Sequence, residues 1–490
     1  MEVLLVEIQE RPHDRLLHEE GVQLLTDLSD GASGRPAIQS QLISDLLATL
    51  FEHDLIDHQE IASCAIGQLK RRYGIDSNTA PAEPLAQSLA QDNLFLSTLR
   101  RIINIDPEFE IFLRQARRFL LFHYQGERAL SRRLLPLIEA LAQQGFNNEY
   151  ILHEEEDERR AVHEIEAQLE QTFNGDDMRD SELPLLVVGM YRPLASLPFV
   201  HRIEDVAIET ISKEARAAMT RMIREPLEEK RLSRRIPSFG TITRPTSEAV
   251  RAQYEEHPYP RWFTLGRTKA LESRLKGLGS EFSWPFSSAE RLEILVPGCG
   301  TGRHPLSIAA GTPDARVLAL DLSKASLAYG QRMAEKLQIR NVTFVHGDLL
   351  ELSTLGKRFH HIDCIGVLHH LKDPMAGWQV LDQVLLPGGT LHVSVYSTVA
   401  RMHIEFLRNE IARLQIQPTI AGMKAFRHRL LNDERYRLFL QYLQIKDFFS
   451  LRAAFEIICF TPASTGTSSR KYGVSSTTSG SDFSGSGCHR

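Results

Sequence analysis

Cysteine is scarce in this chain, and long apolar runs are missing. Five cysteines in 490 residues stand far apart at Cys64, Cys299, Cys364, Cys459 and Cys488, with an odd count and no C-x-x-C pair. That excludes a disulfide framework and a cysteine-rich zinc site, and it points to reduced thiols in a cytoplasmic protein. No window of the length needed to span a bilayer is apolar and free of charge, so no membrane span is expected. The start, Met1-Glu2-Val3-Leu4-Leu5-Val6-Glu7, is acidic and too short to read as a signal peptide. Neither sign of charge dominates: 57 basic against 63 acidic residues leave a net charge of −6. Broad electrostatic binding to nucleic acid or to an anionic membrane is therefore not expected. The sequence also lacks H-E-x-x-H and G-x-S-x-G, which removes the zinc-protease and nucleophile-elbow chemistries. No self-similar 34-residue helix-pair period emerges.

What is present is ordinary globular composition, 42% hydrophobic and 24% charged, in a chain long enough for two to four domains. Residues 1–235 read as a mainly helical N-terminal domain. Gln41 to Leu55 repeats apolar residues at helical spacing. Asp106-Pro107 is a helix start, a capping side chain followed by proline in the first turn. Behind it Phe109, Phe112, Leu113, Ala116, Phe119 and Leu120 share one face. Leu130, Leu134, Leu137, Ile138 and Leu141 form a second stripe, which Gly145 is placed to terminate. Glu154 to Gln171 alternates in charge and predicts a solvated helix; His153, beside three glutamates, reads as part of that surface run and not as a metal ligand. The apolar stretch Leu183 to Val188 fits a buried helix or a strand, with helix preferred.

Residues 236–290 read as a linker with an aromatic strap. Ile236 to Pro245 is rich in Pro, Ser, Thr and Gly. Gln253 to Trp262 then packs two prolines and three aromatic residues into ten positions, a stiff, non-helical segment suited to bracing domains or to walling a site with Tyr254, Tyr259 and Trp262.

Residues 291–400 change character. The apolar run Leu292 to Val296 leads into Pro297-Gly298-Cys299-Gly300-Thr301-Gly302-Arg303-His304, and a helix-compatible stretch follows. Strand, glycine turn and helix in that order place backbone N–H groups and a helix N-terminus against a nucleotide-like ligand. A second strand, Arg316 to Leu320, ends in Asp321, 21 residues past Gly300, where an acid is placed to accept both hydroxyls of a ribose. A helix over Ala325 to Leu337 and a third strand over Asn341 to Val345 follow, then His346-Gly347-Asp348-Leu349. A fourth strand within Phe359 to Val367 carries Asp363 and exits through Gly366-Val367-Leu368-His369-His370. A helix from Met375 to Leu385 and a Pro387-Gly388-Gly389 turn lead to a fifth strand at Thr390 to Val395. Strands alternating with helices predict an α/β, doubly wound, mainly parallel sheet.

The glycine turn, the acid after strand two, Asp348 after strand three, the strand-four exit and the Pro-Gly-Gly turn together resemble a class I S-adenosylmethionine-dependent methyltransferase with a Rossmann-like fold. The phrases "LDLSKASLAYG", "VLHHLKDPMAGW" and "YEEHPYPRW" resemble a bacterial group that joins such a domain to a long helical N-terminal region, often described as tetratricopeptide-containing. That resemblance covers roughly Asp92 to Ser450. It implies S-adenosylmethionine as cofactor. Gly298, Cys299, Gly300 and Gly302 would hold its methionine half, Asp321 and Leu322 its ribose, and Asp348 and Leu349 its adenine. Gly366 and Val367 would border the methyl group. The fold usually has an acid two residues before the first glycine, as partner of the cofactor's amino group; here that position is Val296. His369 and His370 are the nearest candidates for a general base, should the acceptor need one, and Tyr254, Tyr259, Trp262 and Tyr396 for the acceptor-site lining. His360, His361, His369 and His370 are not expected to bind a metal, because neighbouring side chains on a strand point to opposite faces.

Two other readings remain open at this point. A dinucleotide fingerprint, G-x-G-x-x-G, wants glycine at 303, where Arg303 stands, so an NAD-dependent oxidoreductase fits less well. A non-catalytic interaction protein would use the helical half to bind a protein partner and keep the cofactor domain as a scaffold. Residues 401–460 read as a helical C-terminal extension. Residues 461–490, rich in Ser, Thr and Gly, read as a disordered tail.

Overall fold

The computed structural model describes residues 1–30, 37–54, 56–126, 132–172, 181–204, 211–256, 258–266, 291–395 and 402–436. Leu130, Tyr396, residues 267–290 of the linker, residues 437–460 of the C-terminal extension and the 461–490 tail lie outside them. The chain divides into two compact units: Met1–Leu227 with the described part of Ile411–Ile458, and the described part of Glu228–Glu410. The second unit is thus an insertion between two stretches of the first. No described helix is long and apolar enough to cross a membrane.

The first unit is helical. Asp106 caps the helix Pro107–Gly126 through the Phe109 N–H. Phe109, Phe112, Leu113, Ala116 and Leu120 from that helix are all buried in one core, as their spacing predicts. The apolar run near 183 is the helix Glu182–Gly189, buried along nearly its whole length. Gly145 does not end a helix: Leu135–Asn147 continues past it, and Gly145 is buried against the Met190 carbonyl. Close helix packing, not a cap, accounts for this glycine.

The charged run around 154–171 is less solvated than its composition predicts. It forms the helix Glu156–Thr172, but Glu154 and Glu158 are buried. Glu158 accepts from the Tyr191 hydroxyl at 2.7 Å, and Glu154 accepts from Arg192 at 2.7 Å and from Lys424 at 3.1 Å. Arg427 is buried and donates to both carboxylate oxygens of Glu110, at 3.1 and 2.7 Å. Lys424 and Arg427 belong to the helix Ile420–Asn432. Buried charges are tolerable only when paired and hydrogen-bonded, so these two pairs hold the returning C-terminal helix in the core of the first unit.

The second unit carries five parallel strands in the order β3-β2-β1-β4-β5: β1 Glu293–Pro297, β2 Arg316–Asp321, β3 Val342–His346, β4 Phe359–Ile365 and β5 Leu385–Ser394. Helices Arg303–Gly311, Lys324–Lys336 and Pro374–Gln383 connect them. Side chains alternate across the sheet. Ile294 and Val296 of β1 join one apolar cluster, with Leu306 and Leu327, while Leu295 joins the other, with Ile362, Cys364 and Leu381. Two cores, one on each face, are what a doubly wound sheet requires. The fifth strand starts earlier than its sequence predicts, at Leu385, and the register against β4 breaks between Phe359 and His361. The Pro387-Gly388-Gly389 segment is therefore an irregularity inside the strand and not a turn before it.

Candidate active site

The site lies at the carboxyl ends of β1, β2 and β4, where ligands settle in open α/β sheets. The three turn glycines have φ of 64°, 53° and 82° at Gly298, Gly300 and Gly302, a region costly for side chains with a Cβ. Space is closed as well. A Cβ at Gly298 would collide with the Val367 side chain, and one at Gly300 would stand 2.5 Å from the Tyr259 carbonyl oxygen. The turn is glycine-rich because the strap and the β4 exit press against it from two sides.

Asp321 at the end of β2 is tied to that turn. Its Oδ2 accepts the Gly300 N–H at 2.8 Å, and its Oδ1 accepts the Ser323 N–H at 2.9 Å. Burial pushes its carboxyl up, against those backbone bonds. The Leu322 backbone N–H adds a third bond that favours the ionised carboxyl. Asp321 is half-buried, as are Leu322, Gly366 and Val367, while Gly298 and Ile365 are exposed. These residues make an accessible floor along the strand ends. Cys299 is buried, and burial followed by the nearby Asp321 pushes its thiol well up.

Asp348 and Leu349 are buried. Asp348 accepts the Ser247 hydroxyl at 2.6 Å and the Leu350 N–H at 2.9 Å, with Arg244 at 3.6 Å. Residues 237–239 run along the edge of β3: the His346 N–H donates to the Pro237 carbonyl at 2.8 Å, and the Phe239 N–H to the His346 carbonyl at 3.1 Å. The connector expected from Pro, Ser and Gly content is thus part of the sheet unit's ordered frame.

The strap is shorter than its composition predicts, because Pro245–Glu256 is helical and takes in Tyr254. The stretch beyond that helix crosses the glycine turn. The Thr301 N–H donates to the Tyr259 carbonyl at 3.3 Å, the Thr301 hydroxyl donates to the Pro260 carbonyl, and Trp262 Nε1 donates to the Thr301 carbonyl at 3.2 Å. Trp262 is buried, edge-on to Tyr329 with ring centroids 6.0 Å apart. Tyr254 and Tyr259 are half-buried, and the Tyr254 carbonyl accepts the Ser323 hydroxyl at 2.9 Å. The strap is therefore bolted to the turn through its backbone, with Tyr259 nearest to Gly300.

His369 is buried and His370 half-buried in a short 3₁₀ turn after β4, their rings 4.3 Å apart. His360 and His361 point to opposite sides of β4: His360 Nδ1 accepts the Glu293 N–H at 3.0 Å, and His361 Nδ1 lies 2.6 Å from the Thr390 hydroxyl. The four histidines do not converge. Among the described residues the only His/Cys/Asp/Glu group close enough to share an ion is His153, Glu155 and His428 in the helical unit, where the Arg114 guanidinium already donates to His428 Nδ1 at 3.1 Å.

Sequence reasoning passed over one cluster. Asp363 in β4 is fully buried, with His304 Nε2 at 2.6 Å and His392 Nδ1 at 2.7 Å on its two oxygens and His361 at 3.8 Å. Burial opposes its ionisation, but the hydrogen bonds from His304, His361 and His392 outweigh it and hold the carboxyl well below the usual range. The signal was a lone acid in an apolar strand, which demands partners.

Residues 294–389 match the family model of a methyltransferase domain. That stretch is a methyltransferase domain by this match. An uncharacterized protein of Synechococcus is 31% identical over 196 residues, 37% of this chain and 44% of that protein. The demethylmenaquinone methyltransferase of Bacillus mycoides is 29% identical over 92 residues, 19% of this chain and 39% of that enzyme. The chain spans less than half the length of these relatives. A solved structure of PKMT2 from Rickettsia typhi in complex with AdoHcy aligns at 22% identity with a TM-score of 0.25, over 31% of this chain and 28% of that one. In this domain the residues present suit S-adenosylmethionine: Gly298 exposes turn backbone at the strand ends, and the half-buried acid at the end of β2 lies beside it.

Proposed function

We propose that the chain transfers the methyl group of S-adenosylmethionine to an acceptor bound beside the β4 exit. When bound, the cofactor supplies a methyl group already activated for in-line displacement, so the protein's share is placement. Asp321 carries this reading most directly. Its carboxylate, fixed by the Gly300 and Ser323 N–H groups, is in place to accept the two ribose hydroxyls. Gly298, Cys299, Gly300 and Gly302 offer backbone to the methionine half. Asp348, Leu349 and the edge segment around Phe239 frame the adenine side, where Ser247 and Arg244 fix the Asp348 carboxylate.

Gly366 and Val367 form the floor under the reacting centre. His370, the more exposed of the pair after β4, accepts the proton when the acceptor is a hydroxyl or an ammonium group, and the buried His369 packs behind it. Tyr259 holds the strap against the turn and lines the acceptor side with Tyr254, while Trp262 is buried behind it against Tyr329. The acceptor is a small molecule or a protein, and a protein acceptor would dock on the helical unit.

Titration calorimetry with S-adenosylmethionine tests the cofactor assignment. Micromolar-range binding, about −7 to −8 kcal/mol, is expected for the wild type, with a clear loss in Asp321→Ala. No binding to the wild type would refute it. A labelled-methyl assay on lysate then sorts the acceptor: label on protein supports docking on the helical unit, and label on small molecules supports a site walled by the strap.

A further inference from the structure

The amino-acid end of S-adenosylmethionine carries an ammonium group, which needs an acceptor where the glycine turn meets β4. The turn offers few. Val296 is apolar and buried, the Cys299 thiol is buried against the Gly300 carbonyl, the Thr301 hydroxyl is committed to Pro260, and Arg303 is cationic. The Asp321 carboxylate is held by backbone on β2. His304 is different. It lies two residues past Gly302, in the first turn of the helix Arg303–Gly311, with its side chain 31% exposed. Its Nε2 lies 2.6 Å from Asp363 Oδ2. An ionised carboxylate only accepts, so Nε2 carries a proton, and in a neutral ring Nδ1 is then an acceptor. Among the described residues Nδ1 makes no hydrogen bond.

The ladder sets Asp363 beside β1. Ile294 pairs with His361 and Leu295 with Ile362, so the next step brings Val296 level with Asp363 on the same face of the sheet. The negative charge absent from β1 stands one strand over. His392, paired with Asp363 across β4 and β5, takes the other carboxylate oxygen at 2.7 Å. One carboxylate is thus shared between the two imidazoles, one on each oxygen.

We propose that His304, oriented by Asp363 and with His392 clamping the second carboxylate oxygen, accepts the cofactor's ammonium group and so reads its amino-acid end. This rests on the S-adenosylmethionine reading above. Calorimetry on the full chain with two probes tests it: S-adenosylhomocysteine, which has the amino-acid end, and 5′-methylthioadenosine, which lacks it. His304→Leu should lose about tenfold or more in affinity for the first and less than about twofold for the second, as expected when one charge-assisted bond is removed. His304→Gln, whose amide oxygen is an acceptor, should recover most of the loss, and Asp363→Asn should follow His304→Leu. Equal weakening of both probes, or no change in their ratio in His304→Leu, would assign the cluster to structure and overturn the proposal. Should the wild type bind neither probe, the cofactor reading fails and this inference with it. If Asp363→Asn does not fold, the two His304 variants decide.

Discussion

Replacing Asp321 by asparagine keeps the shape of the side chain and removes its charge and one acceptor. In the structure its oxygens accept the Gly300 N–H at 2.8 Å and the Ser323 N–H at 2.9 Å. Asparagine can keep one of these bonds and turns an NH₂ towards the other N–H. Hydrogen bonds to a charged group contribute about 1.5–3 kcal/mol each. The variant should therefore unfold about 1.5–3 kcal/mol more easily, read by urea denaturation, even without ligand. With cofactor a second cost appears, because at least one ribose hydroxyl loses its charged acceptor. At about 1.4 kcal/mol per decade, S-adenosylmethionine affinity should fall by about 10- to 150-fold. Calorimetry at fixed ionic strength reads this directly. A variant that binds within about twofold of wild type, while showing the predicted loss of stability, would mean that Asp321 braces the turn and does not read the ligand.

Three further outcomes rest on named contacts. Gly300→Ala combines a left-handed φ with a Cβ 2.5 Å from a backbone oxygen, whereas Gly356, at φ 65°, has nothing within 4 Å; Gly356→Ala should cost about 1–2 kcal/mol and Gly300→Ala clearly more, with loss of cofactor binding, in parallel melts. Ser247→Ala removes the 2.6 Å donor to buried Asp348 and should destabilise by about 1.5–3 kcal/mol, measured by denaturant midpoint. Glu154→Gln strands buried Lys424, whose ammonium burial already pulls down to about 8 against the pull of Glu154, and should cost about 3 kcal/mol. Burial opposes ionisation of Glu154, but Lys424 and Arg192 outweigh it and lower its pKa. Its stabilising effect is thus present above the unfolded value of 4.5 and is lost as pH falls through the folded one. The gap between wild type and variant should close as pH is lowered below that value.

The sheet was legible because its signals are local. Short apolar runs ending in Gly298 and Asp321 are inner strands, the run before Asp348 is the partly exposed edge strand β3, and each boundary residue announces itself beside its run. The Pro387-Gly388-Gly389 segment misled because glycine and proline mark an irregularity inside a strand as readily as a turn before one. The strap's reach was overestimated for a similar reason: aromatic and proline content says nothing about the helix that ends at Glu256. Non-local pairing was beyond the sequence. Nothing near Glu110 or Glu154 shows that Arg427 and Lys424, some 300 residues on, neutralise them, so the glutamate run read as surface. Asp363 was visible as an acid in an apolar strand, but its partners, His304 and His392, come from two other elements.

The most direct measurement is transfer of label from methyl-labelled S-adenosylmethionine by the full chain in lysate, run beside Asp321→Ala at equal concentration. The account predicts label in an acceptor with the wild type and a loss of about tenfold or more with the variant. Equal labelling by the two proteins, or none by a wild type that calorimetry shows to bind the cofactor, would contradict it.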